Sequence, residues 1–124
     1  VGLVVQKRNV ISFNMPSKIP LLLASGSPII ASDPASGTAA RAVRQSGGGV
    51  VVAPESPQDL ATAIMSLYNN PVLAAKLASK ARKFAIERYS FEQALTAYEA
   101  VFSQAISRKI PAILPTMEKK LGVR

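Results

Sequence analysis

Three short apolar runs, Gly2 to Val5, Pro28 to Ser32 and Gly49 to Ala53, alternate with segments of helical spacing, and this alternation constrains the chain more than any other feature. Each run is too short for a helix and fits a buried strand. Strands that alternate with helices are expected to run parallel, each helix carrying the chain back to the edge where the next strand starts. The expected class is therefore α/β: a partial Rossmann-like parallel sheet with flanking helices and a helical C-terminal end.

Start and stop signals place the helices near Ser17 to Ser25, Gly37 to Gln45, Pro57 to Asn69, Pro71 to Arg88 and Phe91 to Ser107. Ser56 precedes Pro57 with Asp59 three residues on, Asn70 precedes Pro71, and Ser90 precedes Gln93 by three. Each is an N-cap pattern. In the first helix Ile19, Leu21, Leu22, Leu23 and Ala24 are expected to form a buried face, Gly26 to supply the left-handed stop, and Pro28 to bar continuation. In the last helix Phe91, Leu95, Tyr98, Phe102 and Ala105 recur at helical spacing and are expected to be packing residues.

With no cysteine and no histidine, thiolate, disulfide and imidazole chemistry are excluded, and so are the commonest zinc ligands. The seven acidic residues form no paired-carboxylate constellation, so no catalytic residue is assigned. No apolar run approaches the roughly 20 residues of a membrane span. The net charge of +8 needs a partner or a solvated surface. Lys76, Lys80, Arg82, Lys83 and Arg88 lie on one helix and read as a solvated face. Residues 108–124 form a basic tail, in which Arg108, Lys109, Lys119, Lys120 and Arg124 oppose Glu118 alone. This tail offers contact with an anionic membrane, although Pro111 and Pro115 are expected to interrupt a long helix there. Aromatic residues are few and not interleaved with basic ones, which argues against nucleic acid.

Two glycine-rich places differ in their position. Ser36, Gly37 and Thr38 lie between a strand and a helix, where backbone N–H groups can face a ligand beyond the strand ends; an ordinary helix cap is the alternative. Gly47, Gly48 and Gly49 end a helix and enter a strand, at the opposite edge, and read as a turn. Glu55 follows the third strand and falls on the ligand side, or is a plain loop residue.

At Pro16, Ser17 and Lys18, Ser17 is placed to cap a helix and Lys18 adds a positive charge to its start, an end that attracts phosphate. The run PSKIPLLLASGSPIIAS, followed by Gly37 to Ala42, GGGVVVAPESPQDLATAI at 47–64 and ARKFAIERYSFEQAL at 81–95, resembles the donor-binding C-terminal domain of GT-B glycosyltransferases of family 4. The likeness is to the bacterial polysaccharide branch similar to colanic acid biosynthesis glycosyltransferases, and it spans roughly residues 1 to 105.

The resemblance implies a retaining, metal-independent transfer of a sugar from a nucleotide-diphosphate donor to a polysaccharide or lipid-linked acceptor, with no bound cofactor. It implies donor contacts at Asn14, Pro16, Ser17 and Lys18, and a cytoplasmic location that extends to the face of the inner membrane. Two glutamates common in that family fall at Phe13 and Leu21 here, which leaves sugar and ribose recognition to backbone groups, Asn14 or other residues. The chain opens inside an apolar run at Val1 and is expected to be a fragment, residues 1–107 being half a donor-binding domain and inactive alone. A half sheet exposes an edge suited to dimerisation. A nucleotide-sugar epimerase and a non-catalytic binding module stay open as alternatives.

Overall fold

The structure, a computed structural model, describes residues 1–9 and 15–121, with side chains through residue 107. Its elements in chain order are β1 (Gly2–Val5), α1 (Lys18–Ala24), β2 (Ile29–Ser32), α2 (Thr38–Ser46), β3 (Gly49–Val52), α3 (Pro57–Asn69), α4 (Pro71–Tyr89) and α5 (Phe91–Leu121). They form two compact units, Val1–Tyr89 and Ser90–Arg124.

In the first unit the three strands pair in parallel in the order β1-β2-β3, with Gly2 opposite Ile29 and Ile29 opposite Gly49. The α/β class and the partial Rossmann-like sheet are thus as the alternation required. β2 is central and buried along its length. Ile29 and Ala31 face one side with Val4, where Ile19 and Leu23 of α1, Val43 of α2 and Ala81 and Ala85 of α4 close the main core. Ile30 faces the other side, against Ala63 and Leu67 of α3 with Val50, Val52, Leu60, Leu73 and Leu77 around it. Helix α4 therefore serves both cores, Leu73 and Leu77 in one and Ala81 and Ala85 in the other. It passes the N-terminal edge of the sheet close to Gly48, where a Cβ would lie 2.6 Å from that of Ala81.

Helix α1 ends as its sequence required. Gly26 is left-handed at φ 68°; its N–H donates to the Leu23 carbonyl and that of Ser27 to Leu22, the paired bonds of a Schellman stop. Three N-caps also form, with Asp59 N–H donating to Ser56 Oγ, Leu73 N–H to Asn70 Oδ1 and Gln93 N–H to Ser90 Oγ. Gly47, left-handed at φ 59°, turns α2 into β3 at the N-terminal edge. The basic residues of α4 are exposed.

Three expectations are corrected. Leu21 is 71% exposed rather than part of the buried face. Ile19 and Leu23, four residues apart, point to the sheet, and Leu21 lies about 200° around the helix from Ile19. On α5, Phe91, Leu95, Tyr98, Phe102 and Ala105 are exposed, not packed. Their spacing specifies a continuous apolar stripe but not a neighbour to cover it. Finally, α5 continues to Leu121 through Pro111 and Pro115. The prolines are four apart, so the bond that Pro115 cannot make is to the carbonyl of Pro111, and both gaps fall on one side of the helix.

Candidate functional site

All three strands run the same way, so the segments that leave β1, β2 and β3 emerge at one edge of the sheet. Ligands of open parallel sheets bind outside this carboxyl edge. Pro16, Ser17 and Lys18 open α1 beyond β1, and Ser36, Gly37 and Thr38 open α2 beyond β2. The topology thus brings both sequence-derived groups to the same edge. Asn14 lies outside the described residues.

The start of α1 differs from a simple capped end. Ser17 stands at the N-cap position with its own backbone already helical, and its side chain makes no capping bond. The reason is in the two residues that follow Lys18. The Ile19 N–H donates to the Pro16 carbonyl at 2.9 Å, and the next residue, Pro20, has no N–H. A serine cap needs one of those two donors. Lys18, the first residue of the helix, adds an exposed ammonium to this end.

The start of α2 is built around a carboxylate. Asp33, 1% exposed, follows β2 directly. Its Oδ2 accepts from the Ala40 N–H at 2.9 Å, in the first turn of α2. The Gly37 N–H is committed as well, to the Pro34 carbonyl at 2.7 Å. Asp33 presses so closely on Gly37 that a Cβ there would lie 2.0 Å from Oδ2. An anion therefore already occupies the end of α2, the place that favours one. Oδ1 of Asp33 is buried with no hydrogen-bond partner among the described residues, and so is Oε1 of Gln6. These are neighbouring positions, since Val5 pairs with Ser32 and the Gln6 N–H donates to the Ser32 carbonyl at 2.9 Å. Both oxygens are acceptors, suited to a ligand's hydroxyl or N–H groups.

The same edge carries Arg8 beyond β1 and Glu55 beyond β3. The Arg8 Nε lies 3.6 Å from Glu55 Oε2, with side chains 71% and 53% exposed. Its backbone N–H donates to Oε1 at 3.4 Å. Glu55 has φ 58°, the one non-glycine residue with positive φ among those described. A glutamate held there costs on the order of 1 kcal/mol. Strand order explains why sequence reasoning passes over Gln6 and Arg8: Gln6 gains its neighbour only once β1 lies beside β2, and Arg8 only once β3 completes the sheet. Asp33 carried a readable signal, a carboxylate directly after a buried run and four residues before a helix-opening glycine.

No group of three or more histidine, cysteine, aspartate or glutamate side chains suited to a metal occurs among the described residues. No helix among them is long and apolar enough to cross a membrane.

Comparison with known families gives a match to the model for glycosyl transferases group 1 over residues 22–84. That span takes in β2, α2, β3, α3 and most of α4, with Asp33 and Ser36 to Thr38 inside it and Lys18 just before it. No curated protein and no solved structure matches the chain. The family match covers just over half of the chain, from the last residues of α1 into α4, and the chain belongs to the glycosyl transferases group 1 family.

Proposed function

We propose that the chain is the donor-binding half of a family 4 glycosyltransferase of bacterial polysaccharide synthesis, related to the colanic acid branch. The enzyme would pass a sugar from a nucleotide-diphosphate donor to a polysaccharide or lipid-linked acceptor, in the cytoplasm or at the inner face of the membrane. The observation that carries this reading is that Pro16 to Lys18 and Ser36 to Thr38 leave adjacent parallel strands at one carboxyl edge, in a chain of a glycosyltransferase family.

The roles follow from what each group has left to offer. With Ile19 engaged and Pro20 lacking an N–H, the attraction for phosphate at α1 rests on Lys18. As the sugar bond breaks, negative charge grows on the departing diphosphate, and a cation preplaced there lowers the barrier. The segment Ser36 to Thr38 stands beside the Asp33 carboxylate. Its surroundings suit the hydroxyl groups of ribose or sugar better than a second phosphate, and Gln6 Oε1 and Asp33 Oδ1 supply acceptors for them. Asn14 completes the donor contacts in this reading.

A second reading, a non-catalytic module that keeps the fold, draws support from the same start of α2, whose Gly37 and Ala40 N–H groups are already spent within the chain. Calorimetric titration of the folded chain with UDP, GDP and ADP sugars at low salt separates the two. The donor-site reading predicts saturable binding of one nucleotide class. It also predicts that Lys18→Ala weakens that binding about tenfold or more, the loss of one charge-assisted contact of roughly 1.5–3 kcal/mol. A folded protein that binds none of them overturns it.

A further inference from the structure

We propose that the groove between α2 and the second half of α4 binds an acidic oligosaccharide, at a place separate from the donor residues. A cavity of about 460 Å³ opens there, lined by Gln45 of α2 and by Phe84, Arg88 and Tyr89 of α4. A second, of about 360 Å³, shares Gln45 and Phe84 with it and adds Arg44, Lys80, Lys83 and Glu87. The two form one groove. It starts at the N-terminal edge of the sheet, where a Cβ at Gly47 would lie 3.3 Å from Lys80 Cδ. It ends at Tyr89, whose hydroxyl donates to Met15 Sδ at 3.7 Å, just ahead of α1. From Lys80 to Tyr89 it follows α4 for roughly 13 Å, at about 1.5 Å per residue.

The lining selects the ligand. Phe84 and Tyr89 meet edge to face, with ring centroids 5.8 Å apart and planes at 76°, and supply an aromatic wall. A sugar ring packs its C–H face on such a surface and turns its hydroxyl groups to donors and acceptors, which the Gln45 carboxamide provides. The side chains of Gln45 and Arg88 have no hydrogen-bond or ion-pair partner among the described residues. Along the groove Arg44, Lys80, Lys83 and Arg88 stand against a single carboxylate, Glu87, which Lys83 meets at 3.9 Å. A free guanidinium matches a carboxylate in a bidentate pair, so the geometry points to uronic acid units. An anionic membrane fits less well, because these cations line a cleft between two helices, which a chain can follow and a planar bilayer meets only at the rims.

Titration of the full chain with an alginate hexasaccharide at low salt, followed by backbone amide chemical shifts, tests this. Saturable changes should fall at Gln45, Gly47, Phe84 and Tyr89, and maltohexaose, which carries no carboxylate, should bind about tenfold more weakly or worse. Arg88→Gln should weaken the uronate about tenfold, the loss of one charge-assisted contact. Tyr89→Ala should weaken it as well, whereas Tyr89→Phe keeps the ring and should bind as the parent does. Both side chains are exposed, so circular dichroism should be unchanged in all three variants. Affinity for UDP, GDP or ADP sugars should be the same in Arg88→Gln as in the parent, and a chain that binds the uronate but no nucleotide sugar overturns the donor reading alone. No saturable uronate binding overturns the groove proposal, as does equal binding of maltohexaose. Polyphosphate that binds as tightly as the uronate shows attraction to the cations alone and overturns it too. So does a loss of nucleotide-sugar affinity in Arg88→Gln, which would place Arg88 in the donor site.

Discussion

Replacing Gly37 by alanine tests the construction of the carboxyl edge at its tightest point. The new Cβ would lie 2.0 Å from Asp33 Oδ2, 2.4 Å from its Cγ and 2.5 Å from Oδ1. Gly37 has φ −65°, so alanine meets no backbone strain and the effect is purely one of contact. The carboxylate is buried and cannot swing into solvent without giving up the Ala40 N–H. Losing a hydrogen bond to a charged group costs roughly 1.5–3 kcal/mol, and overpacking adds about 1–3 kcal/mol. Gly37→Ala should therefore cost about 2.5–6 kcal/mol in urea unfolding, a large share of the roughly 5–15 kcal/mol typical of a domain. A double-mutant cycle isolates the cause. In an Asp33→Ala background the added methyl enters the space that the carboxylate vacated, so the same change should cost less than about 1 kcal/mol. An equal cost in both backgrounds, or a cost below about 1 kcal/mol in the parent, would refute the packing of Asp33 on Gly37.

Further outcomes follow from the same geometry. Ser17→Ala should change stability by less than about 0.5 kcal/mol because Ser17 caps nothing, whereas Asn70→Ala should cost about 1 kcal/mol; equal losses in thermal unfolding would contradict the α1 start described. Leu23→Ala should cost about 2–5 kcal/mol and Leu21→Ala less than about 0.5 kcal/mol, since the first is fully buried and the second exposed. Glu55→Gly relieves a left-handed backbone and loses an exposed ion pair worth about 0–1 kcal/mol, so its stability should stay within about 1 kcal/mol of the parent. A larger loss would show that Arg8 and Glu55 brace the edge.

Much of the fold was legible because local chemistry decided it. Gly26 before Pro28 required a left-handed stop, and Asn70 before Pro71 required a cap, whatever the tertiary surroundings. The parallel sheet followed from three short apolar runs with helices between them, since β2, buried on both faces, has no polar alternation. The site was legible only in position. Ser17 read as a cap because its residue type is right, but whether it caps depends on Pro20 two residues into the helix and on the Pro16 carbonyl. Asp33 lies in the short link after β2, and its role at α2 depends on a fold that returns the Ala40 N–H to the end of β2. Gln6, Arg8 and Glu55 acquire neighbours through strand pairing across dozens of residues, which no local pattern encodes. The aromatic spacing of α5 was equally clear in sequence, yet periodicity defines a face and is silent about what lies against it.

The central claim, that donor binding occurs at the carboxyl edge of the sheet, is tested most directly by mapping backbone amide chemical shifts of the chain during titration with a nucleotide-diphosphate sugar. The account predicts that the largest changes fall at Ser17, Lys18 and Ser36 to Thr38, with Gly47 to Gly49 at the opposite edge unchanged. Saturable changes centred on Gly47 to Gly49, or on no part of the carboxyl edge, would contradict it.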